Sequence, residues 1–324
     1  MKAAVVRSAG HAPTYGDFAE PEPAAGESRV AVTAAAVSPL VRSRAAGTHY
    51  SASGQYPFVI GIDGVGRLDD GRRVYFVLPK APHGSMAERT VVASAQCVPL
   101  PDGLDDVTAA AIANPGMSSW AAYVERARLV AGETVLVNGA TGAAGRLAVQ
   151  IAKHLGAKRV IATGRNLASL QSVAALGADM TVPLVEDAAA LGESFKEQFA
   201  AGVDVVIDYL WGSSAESLLI AAAKAGIDAR PLRSVQVGSV TGANISLPSA
   251  VLRSSAIVLM GSGIGSVAPG RLLHAIGDLL RATVPGGFKI AARPVPLSDF
   301  DRAWLADDKD GRIVFTANAP ASSA

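Results

Sequence analysis

Glu133-Thr-Val-Leu-Val-Asn-Gly-Ala-Thr-Gly-Ala-Ala-Gly145 decides how this chain is read. Thr134–Asn138 reads as a strand, and a glycine-rich turn follows at once. Ala143–Leu155 then carries apolar residues at Leu147, Val149, Ile151, Ala152 and Leu155, the pattern of a helix. Gly142 has no side chain, so a pyrophosphate can sit close to its backbone. Gly145 lets the helix pack tightly on the sheet. The helix start offers free N–H groups and the positive end of its dipole to phosphates. The match is Ala140-x-Gly142-x-x-Gly145, with alanine in the first glycine's place. Such a pattern alone is weak, and the legible strand before and helix after strengthen it. The competing reading is a tight turn with no ligand.

The next strand separates the two dinucleotides. An NAD site places Asp or Glu about 20 residues after the glycines, on the ribose 2′-hydroxyl. Arg159-Val-Ile-Ala-Thr-Gly-Arg-Asn166 ends without an acid. Arg165 can instead pair with a 2′-phosphate through its fork of donors. NADP(H) is therefore expected, with Gly164, Arg165 and Asn166 at its adenosine end. The alternative for Arg165 is a solvated loop arginine.

Outward from the turn, strand-like and helical stretches alternate from about Pro115 to 285. Strands are expected at Arg159–Ala162, Val203–Tyr209, Ser234–Val237 and Ile257–Met260. Helices are expected at Leu167–Leu176, Ser214–Ala223 and Arg271–Arg281. Apolar strands alternating with helices indicate a parallel sheet covered on both faces. Before Pro115 the chain reads as short strands broken by Gly and Pro: Ala3–Val6, Ser28–Ala36, Phe58–Leu68, Arg73–Val77 and Ala87–Val98. This predicts a small irregular β barrel. After Gly286-Gly287 the pattern turns β-like again. The domains are expected to be 1–115, completed by 287–324, and 116–286.

Bulk properties narrow the function classes. A chain of 324 residues exceeds the usual single core. Half its residues are hydrophobic, 18% are charged, and the net charge is +1, so it can bury a large core and offers no nucleic-acid surface. One cysteine, Cys97, permits neither an intrachain disulfide nor a cysteine-built zinc site. The N-terminus lacks the apolar core of a signal peptide, and no uncharged apolar run is long enough to span a membrane. A cytoplasmic protein is expected.

Together these segments resemble the zinc-free quinone oxidoreductase branch of the medium-chain dehydrogenase/reductase superfamily. The likeness covers nearly the whole chain. It includes the opening Met-Lys-Ala-Ala-Val-Val, Gly61-Ile-Asp-Gly-Val-Gly66, Gly116-Met-Ser-Ser-Trp120, the glycine turn and Val203-Asp-Val-Val-Ile-Asp-Tyr209. It ends with Leu252-Arg-Ser-Ser255 and Gly261-Ser-Gly-Ile-Gly265. The resemblance implies an α/β fold: a doubly wound Rossmann sheet plus a GroES-like irregular β-barrel domain. It implies that the loop around Ala140, Thr141, Gly142, Ala143 and Ala144 holds the pyrophosphate. Asn114 and Ser118 would lie toward the nicotinamide, and Tyr209 over the adenosine half. Val237, Gly238 and Ser239 would stand beside the nicotinamide ribose, and Gly261, Ser262 and Gly263 near its amide. Each of these could instead be a plain turn residue.

Zinc-containing relatives carry Cys near Ser38, Gly-His-Glu where this chain has Gly61-Ile62-Asp63, and a second Cys or Asp near Asn114. Ile62 cannot coordinate a metal, so no zinc is expected. Without a Lewis acid, alcohol oxidation loses its usual alkoxide stabiliser, whereas quinones and enones carry the developing charge themselves. Many quinone reductases have Asn and later Tyr in the segment equivalent to Val37–Gly47, which here reads Ser38-Pro-Leu-Val-Arg-Ser-Arg44. Ser38 and Tyr50 are the catalytic candidates, and Tyr56 is a further hydrogen-bond candidate. The expected activity is NADPH-dependent, zinc-independent hydride transfer to a quinone or α,β-unsaturated carbonyl. The alternatives are an enoyl-thioester reductase, using Arg42 and Arg44 for a carrier phosphate, and a non-catalytic NADPH-binding sensor. Ile257–Met260 is expected as an edge strand that pairs two copies into a homodimer.

Overall fold

The computed structural model describes residues 1–48, 55–225, 227–306 and 311–317. The chain divides into two compact units. The first comprises Met1–Asn114, Leu280–Pro285 and Ile290–Ala324, the second Pro115–Leu279 and Gly286–Lys289. No helix among the described residues is long and apolar enough to cross a membrane.

The first unit opens with β1 (Lys2–Val6), β2 (Thr14–Asp17), β3 (Glu27–Ala36) and a short helix α1 (Pro39–Ala45). Next come β4 (Phe58–Val59), β5 (Asp63–Leu68), β6 (Arg73–Val77), β7 (Arg89–Ala93) and β8 (Cys97–Pro99). β2, β1 and β4 form a three-stranded sheet, and β3, β5, β6 and β8 follow one another in a larger one, with β7 also on β3. Two expected runs are broken. Phe58–Leu68 splits into β4 and β5, and Ala87–Val98 splits at a 3-10 turn, Ser94–Gln96. Alternate residues of these strands face a core built on Val32, Phe76 and Met86, where Ile313 and Phe315 join them.

The change of pattern expected near Pro115 falls inside a helix, α2 (Asp106–Ala121). Proline removes one helix N–H and leaves the carbonyl four residues back without its donor. Here that carbonyl belongs to Ala111. The Arg312 guanidinium donates to it at 2.5 Å and to the Val37 carbonyl at 3.0 Å. A buried arginine far along the chain thus allows the proline to sit mid-helix.

The second unit alternates strands and helices: β9 (Thr134–Asn138), α3 (Ala143–His154), β10 (Arg159–Gly164), α4 (Leu167–Ala174), β11 (Met180–Pro183) and α5 (Ala188–Ala200). The second half follows as β12 (Val205–Asp208), α6 (Gly212–Ala225), β13 (Leu232–Gln236), α7 (Ser249–Arg253), β14 (Ile257–Gly261) and α8 (Pro269–Thr283). The six strands are parallel, in the order β11-β10-β9-β12-β13-β14. This is the doubly wound Rossmann order, which reverses between β9 and β12. Leu136, Ile161, Val206 and Leu218 are buried in its core, against Phe195 and Phe199 of α5. β14 is an edge strand whose Val258 and Leu259 are 47% and 37% exposed. The chain then returns to the first unit. β15 (Ala292–Pro296) runs parallel to β16 (Arg312–Thr316), and β16 pairs antiparallel with β3.

Candidate functional site

The turn after β9 is built by three glycines with three different tasks. Gly139 takes φ +88°, the left-handed conformation that reverses the chain. Its N–H donates to Thr163 Oγ1 at 3.0 Å, and Ala140 N–H donates to the Thr163 carbonyl at 2.8 Å. Gly145 brings α3 onto the turn: a Cβ there would stand 2.3 Å from the Gly139 carbonyl oxygen. Gly142 is different. It caps α3 in an extended conformation, no side chain caps the helix, and a Cβ there would meet nothing within 4 Å. The first turn of α3 therefore shows uncapped N–H groups to open space, which suits an anion. Arg146 Nε donates to the Thr141 carbonyl at 3.0 Å and braces the loop from within.

A buried polar cluster holds the strand ends from which this turn grows. Asn138 ends β9, Thr163 lies near the end of β10, and Asp208 ends β12; all three are buried. Asn138 Nδ2 donates to Asp208 Oδ1 at 2.9 Å and to Ser214 Oγ at 3.0 Å. Thr163 Oγ1 donates to Asn138 Oδ1 at 2.7 Å. Asp208 also accepts the N–H groups of Leu210, at 2.9 Å, and Trp211, at 3.1 Å. Burial raises the Asp208 carboxyl above the usual range, partly countered by those backbone donors and by Asn138. Trp211 is held at φ +60°, an uncommon conformation for a bulky residue. None of these four polar side chains was among the expected site residues. Asn138, Thr163 and Asp208 each follow an apolar strand run in the sequence, but that pattern does not show that they meet one another or Ser214.

The remaining candidates distribute as follows. Gly164 packs on the turn, since a Cβ would stand 2.5 Å from Thr141 Cγ2. Arg165 is exposed and makes no hydrogen bond or ion pair among the described residues. Asn166 caps α4, its Oδ1 accepting Ser169 N–H at 2.9 Å. Asn114 and Ser118 stand four residues apart on α2, and Ser118 Oγ donates to the Pro115 carbonyl at 2.7 Å. Val237 and Gly238 both donate N–H to the Asp208 carbonyl, and Ser239 beyond them is exposed. Ser262 N–H donates to the Gln236 carbonyl, and Gly263 N–H to Ser266 Oγ. Gly261 at the end of β14 accepts from Arg126 Nε at 2.7 Å.

Tyr209 is buried, its hydroxyl lies 2.7 Å from Ser119 Oγ, and burial raises it to about 12. Two expectations need correction. Ser38 is buried, and its Oγ accepts Val41 N–H at 3.2 Å, so the structure uses it as the cap of α1. Arg42 is not available to a carrier phosphate. Its guanidinium donates to the carbonyls of Trp304 and Ala306 and lies 4.9 Å from the centre of the Trp304 ring. Tyr50 lies outside the described residues. Ile62 is buried, and Asp63 beside it accepts the Tyr75 hydroxyl at 2.5 Å. The described residues contain no cluster of three or more His, Cys, Asp or Glu that could hold a metal.

Comparison with known proteins agrees with this architecture. Residues 143–276 match the family described as zinc-binding dehydrogenase. The chain is 30% identical, over a 345-residue alignment, to the probable NADPH-dependent quinone reductase tdiC of Emericella nidulans. The alignment covers 93% of this chain and 95% of that relative. The crystal structure of the quinone oxidoreductase from Thermus thermophilus superposes with a TM-score of 0.79 at 28% identity, over 98% of this chain and 100% of that one. A shorter match, 30% identical over 99 residues, is to the trans-enoyl reductase pgmF of Aspergillus terreus. It covers 31% of this chain and 27% of that one. The chain also matches polyketide synthases, but spans only 10% of the length of one from Mycobacterium tuberculosis. With a Rossmann strand order, a glycine turn open at Gly142 and a relative of this identity along nearly its whole length, the chain belongs to the quinone oxidoreductase branch of the medium-chain dehydrogenase/reductase superfamily.

Proposed function

We propose that the protein is an NADPH-dependent reductase that delivers hydride to a quinone or an α,β-unsaturated carbonyl without a metal. The observation that carries this reading is Arg165. It is an unpartnered guanidinium at the end of β10, where a 2′-hydroxyl site would need an acid. The residues present fit the dinucleotide. Uncapped N–H groups at Ala143 and Ala144 face open space over Gly142 and would hold the pyrophosphate, with Arg165 on the 2′-phosphate. Val237–Ser239 and Gly261–Gly263, at the C-terminal ends of β13 and β14, would flank the nicotinamide half. When bound, NADPH supplies the hydride. The chain's own part is to fix the turn through Asn138, Thr163 and Asp208, so that the phosphate donors are aimed before the ligand arrives. No side chain is assigned as proton donor.

NADPH and NADH oxidation, followed with 1,4-benzoquinone, 9,10-phenanthrenequinone and 2-hexenal, tests the reading. Turnover with NADPH that survives a strong chelator is expected. If no acceptor is reduced although NADPH binds, the protein is a sensor or carrier. The similarity to a trans-enoyl reductase favours enoyl thioesters as the second substrate class, separable by comparing thioester and free-enone kinetics. The exposed apolar residues of edge strand β14 support a homodimer. A cytoplasmic location belongs to the same reading, and the free thiol of Cys97 accords with a reducing compartment.

A further inference from the structure

The first unit contains a cavity of about 670 Å³, open mouth included, that none of the dinucleotide residues lines. Its walls are apolar where Phe58, Ile62 and Pro82 face it, and polar at three points: Arg44, Tyr56 and His83. No carboxylate is among the described residues that line it. The Arg44 guanidinium makes no hydrogen bond or ion pair with any described residue, unlike Arg42 two positions earlier. His83 Nδ1 is buried and has no hydrogen-bond partner. The His83 ring is fixed edge-on against Phe18, with ring centres 5.7 Å apart.

We propose that this cavity is a binding site for a small, planar, apolar molecule bearing one carboxylate. The apolar walls would take the ring and Arg44 the carboxylate through its paired donors. Burial holds His83 below the usual imidazole range, so near neutral pH its ring is uncharged and one nitrogen keeps its proton. Among the described residues that line the cavity, Arg44 is the only cation. The feature that identifies the occupant is therefore selectivity for charge. The site lies wholly in the first unit, and the proposal does not depend on the hydride-transfer reading.

Benzoate and benzamide, which have nearly the same shape and differ in charge, are the probes. Their affinities for the full-length protein are measured by calorimetry without dinucleotide, in the wild type, Arg44→Gln and Arg44→Lys. The wild type is expected to bind benzoate at least about tenfold more tightly than benzamide, the worth of one charge-assisted hydrogen bond. Arg44→Gln should lose that preference, and Arg44→Lys should keep part of it. Unchanged circular dichroism and an unchanged unfolding midpoint establish that the variants fold. Equal affinities in the wild type, no binding of either probe at millimolar concentration, or a preference that survives Arg44→Gln would each overturn the proposal.

Discussion

Gly142→Ala and Gly145→Ala add the same methyl group three residues apart, and they should fail for opposite reasons. At Gly142 the new Cβ meets no protein atom within 4 Å, and the φ of −78° suits any residue. Alanine narrows the unfolded ensemble, which favours folding by about 0.4–1 kcal/mol. It is also a poorer helix cap than glycine by a similar amount. The two effects offset, so the unfolding midpoint should barely move. At Gly145 the new Cβ falls 2.3 Å from the Gly139 carbonyl oxygen and 2.7 Å from Ala140 Cα. Both are backbone atoms, so the helix must lift off the turn, at a cost of about 1–3 kcal/mol or more. Binding should show the reverse contrast in clarity. The methyl at Gly142 stands where a phosphate approaches the N–H groups of α3. Losing one charge-assisted hydrogen bond there weakens NADPH by about 1.5–3 kcal/mol, roughly ten- to hundredfold. Thermal unfolding of the ligand-free proteins and NADPH titration by fluorescence give both quantities. If Gly142→Ala binds NADPH as the wild type does, the open space over Gly142 is not a phosphate seat and the site assignment falls.

Four further outcomes follow from the same geometry. Asn138→Ala removes three buried hydrogen bonds and leaves the Thr163 hydroxyl without its acceptor; a loss of about 2–4 kcal/mol is expected in denaturant unfolding, with weaker NADPH binding alongside. Arg165→Gln should cut the preference for NADPH over NADH about tenfold or more in paired titrations, leaving NADH affinity nearly unchanged. The Asp208 carboxyl titrates above its unfolded value, so the native state favours its protonated form; that contribution is full at acid pH and fades as pH rises through the carboxylate range. The midpoint difference between wild type and Asp208→Asn should therefore shift against the wild type from pH about 4 to about 7, and a pH-independent difference would contradict the burial argument. Val258→Glu, on the exposed edge of β14, should yield monomer in light scattering if two copies pair there, and an unchanged mass would remove that interface.

Legibility in the sequence followed the strength of local pattern. β9, β10, β12 and β14 were readable because buried parallel strands are continuous apolar runs, and α3 because its apolar residues keep helical spacing after an obvious turn. β11 was passed over: four residues that begin with an exposed Met180 and end in Pro183 carry little strand signal. α5 was missed although Leu191, Phe195 and Phe199 fall on one face, because no turn marked its start beyond Asp187, which caps it. α2 was hidden by Pro115. Its continuity depends on Arg312, almost 200 residues later, and no local rule anticipates such a partner. The site divides along the same line. Glycines of the turn could be read, since their roles are set by backbone geometry. The cluster of Asn138, Thr163, Asp208 and Ser214 could not, since it exists only once three strands lie side by side. Ser38 and Arg42 misled for the complementary reason: polar residues near an expected site were read as functional, whereas the fold uses them as a cap and a clamp.

The alanine at position 140 shows how the structure absorbs a departure from the common glycine pattern. In G-x-G-x-x-G the first glycine serves the tight turn. Here the left-handed residue is Gly139, one position earlier, and Ala140 sits fully buried with its N–H on the Thr163 carbonyl. The need for a left-handed residue has moved along the chain without being lost, and the side chain of Leu210 packs where a Cβ at Gly139 would be. What fixes the register is the Thr163 pair of contacts: its hydroxyl takes Gly139 N–H and its carbonyl takes Ala140 N–H. That hydroxyl in turn donates to Asn138, which donates to Asp208. The shifted turn and the buried polar cluster are therefore parts of one arrangement. Through these bonds the cluster holds the phosphate-facing loop in place.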